Sequence, residues 1–377
     1  MKKYIAKGST RQNMRKVIDV NYEGEKCYSI TLNSTFSHLL EDITTALGTD
    51  QTKKVCIVSD SQVAEIYLNK ISTILQKQYS HIFSFVFEAG ERSKNMETVQ
   101  KLYEQLIINK FDRHDFLIAL GGGVVGDLTG FTAATYLRGI DFVQIPTSLL
   151  AQVDSSIGGK TGVDFQQYKN MVGAFYQPKL VYMSMEVFQS LPDKQFANGM
   201  AEEIKHGLIK DRAYYTWMRE NRELILQKAP ETLIGMLDIG CNIKRVVVEN
   251  DPKEKGERAL LNFGHTIGHA IEKLSDFKLY HGECVALGMV AATYLSVKKG
   301  NLTEDELHDI ECVLSAYHLP IRINGYDAEE ILETTKSDKK MIGKKVKFTL
   351  LKQIGEAYSD LSLTDEDLLE AIHYVLE

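Results

Sequence analysis

The sequence predicts an α/β protein, with a parallel-sheet domain at the N-terminal end and a mainly α-helical domain after it. In the first half, short apolar runs rich in β-formers alternate with helical patterns. In the second half, helical periodicity dominates. The 377 residues also suffice for two domains of about 150 residues each. A boundary near residue 186 gives the predicted domains 1–186 and 187–377.

The predicted strands of the first domain follow one another along the chain. They are "KVCIVSD" (54–60), "FSFVFEAGE" (83–91), "DFLIALGGG" (115–123) and "DFVQIPTS" (141–148). Helical patterns such as "NMETVQKLYEQLIINK" (95–110) lie between them. Apolar strands that end at Gly, Ser or Asp and lead into helices are typical of a parallel sheet covered on both faces.

The carboxyl ends of these strands are where we expect a ligand, because ligands of open parallel sheets bind beyond those ends. The residues found there are Asp60, Glu91, Gly121 to Gly123 and Thr147.

One of these strand ends carries a glycine-rich turn. The segment 121–126 fits G-x-G-x-x-G directly after a strand, a pattern that lets the backbone approach a pyrophosphate at a helix N-terminus. An ordinary tight turn between a strand and a helix also accounts for the pattern. Asp141 has the spacing of a ribose-binding acid but begins a strand, so Asp60 is the better candidate. The turn therefore favours a Rossmann-like nucleotide-binding domain.

The second domain reads as a series of helices. Thr303 before "EDELHDIECVL" has the position of an N-cap residue. Within the first domain, the polar, glycine-rich segment "GGKTGVDFQQYKN" (158–170) predicts a long loop.

Composition excludes several classes of protein. The net charge is −7 and no basic block stands out, so we expect no nucleic-acid partner. Five scattered cysteines without C-x-x-C spacing indicate neither a disulfide framework nor a thiolate zinc site. The N-terminal segment lacks the apolar core of a signal peptide, and no apolar run approaches the length of a membrane span. These observations predict a cytoplasmic protein without a membrane partner.

The segment "LLNFGHTIGHAIEKL" (260–274) places two histidines on one helical face. With His265 at 0°, His269 lies near about 40° and Glu272 near about −20°. The apolar residues lie on the opposite side, near about 140° to 240°: Ile267, Ala270, Ile271 and Leu274. Histidines at i and i+4 can bind one metal, as in H-E-x-x-H, but the glutamate general base of that motif is missing here. A zinc protease is therefore not predicted.

Other residues compete for the same metal. "YHGECVALGM" offers His281, and "GMAEEIKHGLI" offers Glu202, Lys205 and His206 on one helical face. Two histidines, a carboxylate and an open position would form a catalytic zinc site. The residues alone do not choose among the histidines 206, 265, 269 and 281.

Several basic residues have a context that suits an anionic ligand. Lys160 follows a Gly-Gly pair, Arg138 precedes a glycine, and Lys169 and Asn170 adjoin each other. Glycine beside a lysine or an arginine favours a cradle for a phosphate or a carboxylate. The remaining candidate cations of the predicted helices are Lys205, Lys244 and Arg258.

These motifs together resemble the 3-dehydroquinate synthases. The resemblance is carried by "GGGVVGDLTGFTAATYLRGIDFVQIPTSLLAQVDSSIGGKTGVDFQQYKNMVGAFYQPK" (121–179), "GMAEEIKHGLI", "LLNFGHTIGHAIE", "HGECVALGM" and "SDKK". It runs from about residue 54 to the C-terminus, whereas the first fifty residues match poorly. In "DFQQYKN" another residue replaces the usual glycine before Lys169 and Asn170.

The resemblance implies a role for each matching residue. The metal ligands it implies are Glu202, His265 and His281. Residues implied to bind the substrate are Arg138, Lys160, Lys169, Asn170, Lys244, Arg258, Asn262, His269 and Lys339, of which Lys244 and Arg258 take its carboxylate. Residues implied to act in catalysis are Asp154, Lys160, Lys205, Glu254 and His269. Residues implied to contact NAD are Asp60, Glu91, Lys94, Gly121, Gly122, Gly123, Val124, Asp127, Thr147, Ser148, Lys160 and Lys169.

The resemblance also implies a reaction and its cofactors. 3-Deoxy-arabino-heptulosonate 7-phosphate becomes 3-dehydroquinate and phosphate, the second step of the shikimate route to aromatic amino acids. Bound NAD oxidises a hydroxyl, phosphate is eliminated, the ketone is reduced back, and an intramolecular aldol reaction closes the ring. The implied cofactors are NAD and Zn²⁺ or Co²⁺. The implied assembly is a homodimer, in which Arg138 reaches the partner's substrate phosphate.

Three other functions remain open on the sequence. Related sugar-phosphate cyclases build 2-deoxy-scyllo-inosose, valiolone-type or aminodehydroquinate rings, and the first two act on substrates without a carboxylate. An NAD- and metal-dependent polyol dehydrogenase would release NADH and would need no cationic cradle. A paralogue that only binds nucleotide would lack turnover.

Overall fold

The structure is a computed structural model that describes residues 14–166, 168–252, 254, 256–276, 278–336, 341–342 and 345–376. The chain forms two compact units. Unit 1 contains the described residues up to Leu191 together with Pro230–Arg245, and unit 2 contains Pro192–Ala229 together with the described residues from Val246 onward. The predicted domains 1–186 and 187–377 stay a prediction. The α/β class is confirmed.

Unit 1 is built on a seven-stranded sheet. Its strands are β1 (Arg15–Tyr22), β2 (Glu25–Asn33), β3 (Lys54–Asp60), β4 (His81–Phe87), β5 (Phe116–Gly121), β6 (Asp141–Pro146) and β9 (Leu180–Ser184). A separate hairpin joins β7 (Lys160–Phe165) to β8 (Tyr168–Phe175). The sheet order is β1-β2-β9-β6-β5-β3-β4, and every pair except β1–β2 is parallel. The four strands predicted from the sequence are confirmed, β3 at the predicted residues and the other three with ends shifted by a few residues.

The strand order explains where a ligand would bind in unit 1. The chain passes from β3 outward to β4 and then returns to form β5 on the other side of β3. Open parallel sheets bind ligands at such a reversal, beyond the carboxyl ends of the strands. Here Asp60 ends β3 and Gly121 ends β5, so the two predicted nucleotide-binding segments meet at the reversal.

Helices cover the sheet of unit 1 and form most of unit 2. Those of unit 1 are α1 (Leu39–Leu47), α2 (Ser61–Val63), α3 (Asn69–Leu75), α4 (Met96–Ile108) and α5 (Gly123–Thr135). Those that begin in unit 2 are α6 (Asp193–Lys210), α7 (Arg212–Glu220), α8 (Arg222–Leu226), α10 (His265–Leu274), α11 (His281–Lys298), α12 (Glu304–Ala316), α13 (Ala328–Lys336) and α14 (Asp365–Val375). Helix α9 (Pro230–Asn250) runs from unit 1 into unit 2.

Apolar burial explains the sheet and its helices. Strands β5 and β9 are buried along their whole length, as expected for strands covered on both faces. Leu102 of α4, Leu117 of β5 and Leu128 of α5 belong to one buried cluster.

The predicted cap at Thr303 is present at the start of α12. The Thr303 side chain accepts a hydrogen bond from the Glu306 amide, and the Glu306 side chain accepts one from the Thr303 amide. In the described residues, no helix has both the length and the apolar character that crossing a membrane requires.

The loop predicted for 158–170 is wrong for most of its length, because β7 and β8 form an antiparallel hairpin there. Gly162 and Gly173 face each other across the hairpin, and a Cβ on Gly162 would lie 2.8 Å from the Val172 carbonyl oxygen. Gly162, one of the glycines that suggested a loop, thus allows the two strands to approach closely. The turn begins at Gln166, which adopts a left-handed backbone with φ 55°.

Strands also occur where the sequence analysis predicted none. In unit 2, β12 (Phe348–Gln353) and β13 (Glu356–Asp360) form a hairpin, and β10 (Met341–Ile342) pairs with β11 (Lys345–Val346). Unit 2 nevertheless remains mainly helical, as predicted.

Candidate active site

Helices α10 and α11 of unit 2 approach each other unusually closely, and three glycines make this possible. A Cβ on Gly288 of α11 would lie 1.8 Å from the carbonyl oxygen of Gly264. A Cβ on Gly268 of α10 would lie 2.8 Å from the Cys284 carbonyl oxygen. Gly264, just before α10, has φ +79°, a backbone conformation that L side chains rarely adopt. The glycines flanking the two histidines of α10 therefore serve helix packing.

Helix α6 approaches the beginning of α11 in the same way. A Cβ on Gly282 would lie 2.1 Å from the Asn198 carbonyl oxygen, and the Gly282 amide donates to the Asn198 side chain at 2.5 Å. The three helices thus bring together Glu202 of α6, His265 at the start of α10 and His281 at the start of α11.

Those three side chains form a compact cluster. The Nε2 atoms of His265 and His281 lie 3.4 and 3.5 Å from the same oxygen, Glu202 Oε1. One ligand atom from each residue falls within 4.8 Å of the other two. Lys205, one turn along α6, is fully buried and pairs with the other carboxylate oxygen of Glu202.

The other ring nitrogen of each histidine also faces an acceptor. His265 Nδ1 lies 3.0 Å from the Phe263 carbonyl oxygen, and His281 Nδ1 lies 3.5 Å from Glu272 Oε2. Each ring therefore turns its Nε2 atom toward Glu202.

The electrostatics of the cluster favour an ionised carboxylate. Burial opposes the charge on Glu202, but the Lys205 ammonium and the His281 ring outweigh it and hold the pKa of Glu202 below its ordinary value. Burial would also lower the pKa of His281, but the carboxylates of Glu202 and Glu272, which lie against its ring, raise that pKa to about 10.

The residues fit a divalent metal ion. Glu202 Oε1 is fully buried and makes no hydrogen bond within the described part of the chain, although two imidazole nitrogens face it. A buried carboxylate oxygen without a donor is costly unless it binds a cation. Two imidazoles and one carboxylate are a common ligand set for catalytic zinc and leave a position open for substrate.

The other histidines considered as ligands have different surroundings. The ring of His269 lies beside the cluster, with its centroid 5.2 Å from that of His265 and 5.9 Å from that of His281. His269, Glu272 and His281 form a second group whose ligand atoms fall within 4.8 Å. His206 is fully buried away from the cluster, and its Nδ1 lies 3.6 Å from Glu203 Oε2.

In unit 1, the glycine-rich turn joins β5 to α5 with little room for side chains. A Cβ on Gly121 would lie 2.4 Å from Val125, and one on Gly123 would lie 3.0 Å from the Ser155 hydroxyl. A Cβ on Gly126 would lie 2.8 Å from the Gln144 side chain. Gly122 is the N-cap and offers no capping side chain, so the first amides of α5 suit an anion such as a pyrophosphate. Val124 follows in the first turn.

A network of charged side chains centres on Lys94 in unit 1. Its ammonium is buried, lies 2.7 Å from Asp127 and 4.0 Å from Glu91, and donates to the Asn170 side chain at 2.6 Å. Lys169 lies 3.9 Å from Glu91. Burial opposes the charge on Lys94, yet Asp127 and Glu91 raise its pKa. Burial likewise raises the pKa of both carboxylates although Lys94 opposes it.

The remaining nucleotide candidates lie at strand ends. Asp60 caps the helix that follows β3, accepting hydrogen bonds from the amides of Gln62 and Val63. The Thr147 amide donates to the Gly121 carbonyl oxygen at 2.9 Å, and the Ser148 hydroxyl accepts from the Ala151 amide.

The predicted anion-binding residues lie in several places. In unit 1, Lys244 donates to both the backbone and the side chain of Asp154, and Lys160 is exposed at the start of β7. Arg138 is exposed in a tight turn and has φ 66°. Lys339 falls outside the described residues.

In unit 2, two of the candidates belong to the segment between α9 and α10. Arg258 is buried and donates to the Pro252 carbonyl oxygen at 2.9 Å. Asn262 donates to Glu254 at 3.2 Å.

Family models cover most of both halves of the chain. A model described as 3-dehydroquinate synthase N-terminal matches residues 84–198, and one described as 3-dehydroquinate synthase C-terminal matches residues 199–341. The chain belongs to the 3-dehydroquinate synthase family.

Relatives within the 3-dehydroquinate synthase family are similar over nearly their whole length. The 3-dehydroquinate synthase of Syntrophotalea carbinolica is 45% identical over 88% of this chain and 92% of its own. That of Acetivibrio thermocellus is 42% identical over 94% and 98%. Among solved structures, 2-epi-5-epi-valiolone synthase from Streptomyces hygroscopicus subsp. jinggangensis, with NAD⁺ and Zn²⁺ bound, has a TM-score of 0.86 at 25% identity, covering 94% of this chain and 98% of that one.

Two residues outside the set predicted from the sequence contact members of that set. Glu272 faces His281, and the Asp164 carboxylate accepts a hydrogen bond from the Asn170 amide at 2.8 Å. The helical wheel already placed Glu272 on the histidine face, which was the available signal. The sequence offered no such signal for Asp164, because its contact with Asn170 depends on the hairpin that the sequence analysis did not predict.

Proposed function

We propose that this chain converts 3-deoxy-arabino-heptulosonate 7-phosphate to 3-dehydroquinate and phosphate, using NAD and a zinc or cobalt ion. The observation that carries the proposal is the convergence of Glu202, His265 and His281 in a member of the 3-dehydroquinate synthase family. The names of the relatives support the reaction, and the cofactors of the valiolone synthase structure support NAD and zinc.

The proposed metal ligands are Glu202, His265 and His281. A bound divalent ion would supply Lewis acidity that polarises a substrate hydroxyl and stabilises negative charge on its oxygen. Lys205 would keep the Glu202 carboxylate ionised through their buried ion pair. Its ammonium would also be near enough to the ligands to bind a substrate oxygen or to exchange a proton with it.

The proposed NAD site uses the strand ends of unit 1. NAD would supply the acceptor and donor of a hydride. The amides of the glycine turn at the start of α5 would bind its pyrophosphate, because they point outward where no capping side chain competes. Asp60 at the end of β3 would accept hydrogen bonds from a ribose. The Lys94 network would hold Asp127 and Glu91 in place beside the turn.

The substrate carries a phosphate and a carboxylate, which require several positive charges. We assign the carboxylate to Lys244 and Arg258; Lys244 already pairs with a carboxylate, that of Asp154. We assign the phosphate to Arg138, Lys160, Asn170, Asn262, His269 and Lys339. Asp154 and Glu254, together with Lys205, would contact the hydroxyls and provide the proton path.

A homodimer is part of the proposal, with Arg138 reaching the substrate phosphate of the partner subunit. Leu137 and Arg138 both have positive φ, 51° and 66°, a strained backbone in a tight turn where Arg138 is exposed. Such strain persists only where the surrounding structure holds it, and it is concentrated at functional sites. The expected cytoplasmic location also stays a prediction.

The proposed function can be tested with purified protein, the heptulosonate phosphate, NAD and zinc, following phosphate release and identifying the product by mass spectrometry. We expect phosphate and 3-dehydroquinate in equal amounts. His281→Ala should lose both bound metal and turnover, whereas His269→Ala should keep the metal and lose turnover. His373→Ala is the matched control, because His373 is exposed on α14, and it should keep both.

Two results would contradict parts of this proposal. Equal loss of metal in His269→Ala and His281→Ala would assign the ion to a pair that includes His269. Turnover only of an amino analogue of the substrate would assign the chain to aminodehydroquinate synthesis.

A further inference from the structure

We propose that Glu272 is a positioning residue that turns the Nε2 atom of His281 toward the metal; this inference rests on the metal site of the proposed function. Glu272 would do so by accepting a hydrogen bond from His281 Nδ1, 3.5 Å away.

The two histidines of the cluster are oriented in the same way but by different partners. Each has its Nε2 atom within 3.5 Å of Glu202 Oε1 and its Nδ1 atom against an outer acceptor. For His265 the acceptor is the backbone carbonyl of Phe263, which no substitution removes. For His281 it is the side chain of Glu272, so the orientation of this ring depends on one residue.

His281 needs such a partner because of its place in the chain. It is the first residue of α11, and its backbone is held by the hydrogen bond that the preceding Tyr280 amide donates to the Glu283 side chain at 2.7 Å. The backbone does not fix the ring, however, because the last torsion of a histidine is broad and roughly two-fold. An acceptor at Nδ1 selects both the ring orientation and the tautomer that leaves Nε2 free for a metal.

Glu272 is itself held firmly. It is 8% exposed and lies two turns after His265 on α10, the helix that packs on α11 through Gly264, Gly268 and Gly288. One rigid helix thus provides a metal ligand and the residue that orients the next ligand. Such outer partners of metal-bound histidines typically change metal affinity by about 10- to 100-fold.

The same residues allow a competing assignment, in which Glu272 binds the metal together with His269 and His281. That assignment leaves the buried Oε1 atom of Glu202 facing two imidazoles without a cation. It also predicts that Glu202 can be replaced without loss of metal, which separates the two assignments by experiment.

The test measures zinc affinity by competition with a chromophoric chelator in the full-length protein. Glu272→Gln keeps an acceptor, whereas Glu272→Met keeps the volume but removes it. Glu202→Gln marks the effect of losing a ligand. Glu311→Met is the matched control, because Glu311 is also 8% exposed, lies in the same unit and bonds to Arg322 and Tyr374 rather than to one of the three proposed metal ligands. The melting temperature of each metal-free protein reports stability separately.

We expect Glu272→Met to bind zinc about 10- to 100-fold more weakly than the unsubstituted protein. Glu272→Gln should lie closer to the unsubstituted protein than to Glu272→Met. Glu311→Met should change the melting temperature but not zinc affinity.

Three results would overturn the inference: unchanged zinc affinity in Glu272→Met, equal weakening in Glu272→Gln and Glu272→Met, or a loss in Glu272→Met as complete as in Glu202→Gln. If the unsubstituted protein bound no zinc, the metal of the proposed function would fail first.

Discussion

The close packing of α10 on α11 predicts a large effect for the smallest possible substitution, Gly288→Ala. The added Cβ would lie 1.8 Å from the carbonyl oxygen of Gly264 and 2.9 Å from the amide nitrogen of Gly268. Carbon atoms make their best contacts at about 3.5–4.0 Å, so the helices would have to separate by more than about 1 Å. Both obstacles are backbone atoms, which no rotamer change can move.

The magnitude follows from two opposing contributions to the free energy of unfolding. Replacing a helical glycine by alanine gains about 0.5–1 kcal/mol in backbone entropy. Overpacking a rigid contact costs about 1–3 kcal/mol and occasionally more. Because the clash at Gly288 is with backbone, we expect a net loss of about 2 kcal/mol. Gly235 of α9 is the matched control, because a Cβ there meets nothing within 4 Å, so Gly235→Ala should gain about 0.5–1 kcal/mol.

The assay is urea unfolding of the metal-free proteins, followed by zinc titration of the folded proteins. His265 and His281 begin the two helices that would separate, so Gly288→Ala should also bind zinc more weakly, and Gly235→Ala should not. Equal stability and equal zinc affinity in the two variants would refute the conclusion that these glycines set the ligand geometry.

Two further predictions concern unit 1. Lys94→Met should destabilise the protein at pH 7 by about 3 kcal/mol, the low end of the range for breaking a buried ion pair, because the Asp127 carboxylate, which is 19% exposed, loses its buried ammonium partner. Burial already raises the pKa of Asp127, so the deficit should be full above the folded-state pKa of the variant and should shrink as pH falls through it toward the unfolded value; a deficit independent of pH in unfolding titrations would contradict this. Mixing Arg138→Ala with Lys160→Ala under proven subunit exchange should restore about half of the activity per heterodimer, because one of two sites escapes both defects. If mixing restored no activity, Arg138 would act in the site of its own chain and not in that of its partner.

Local patterns were sufficient for the parts of the fold that local sequence decides. The run 54–60 became β3 at the same residues, because an apolar β-rich segment ending in aspartate has few other ways to be buried. Helix α4 begins at its Asn95 cap for a similarly local reason. The hairpin at 160–175 could not be predicted this way. Gly162 lets the two strands approach closely only because it pairs with Gly173, which lies eleven residues later on the opposite strand.

In the candidate site, too, local sequence predicts some features and tertiary packing decides the others. Helical spacing correctly placed His265, His269 and Glu272 on one face. It could not choose the ligands, because that choice depends on how α6 and α11 pack against α10. His206 illustrates the difficulty: it shares a sequence motif with Glu202 but is buried beside Glu203, away from the cluster. Within the sequence, only the resemblance to the family separates His206 from the proposed ligands.

The proposed reaction oxidises and reduces the substrate within one catalytic cycle, so NAD is regenerated in each turnover. The most direct measurement is to supply NAD at a small fraction of the substrate concentration and to follow phosphate release and absorbance of NADH together. Many phosphate molecules should be released per NAD, with no net NADH. NADH accumulating in proportion to product would contradict it and would identify a dehydrogenase instead.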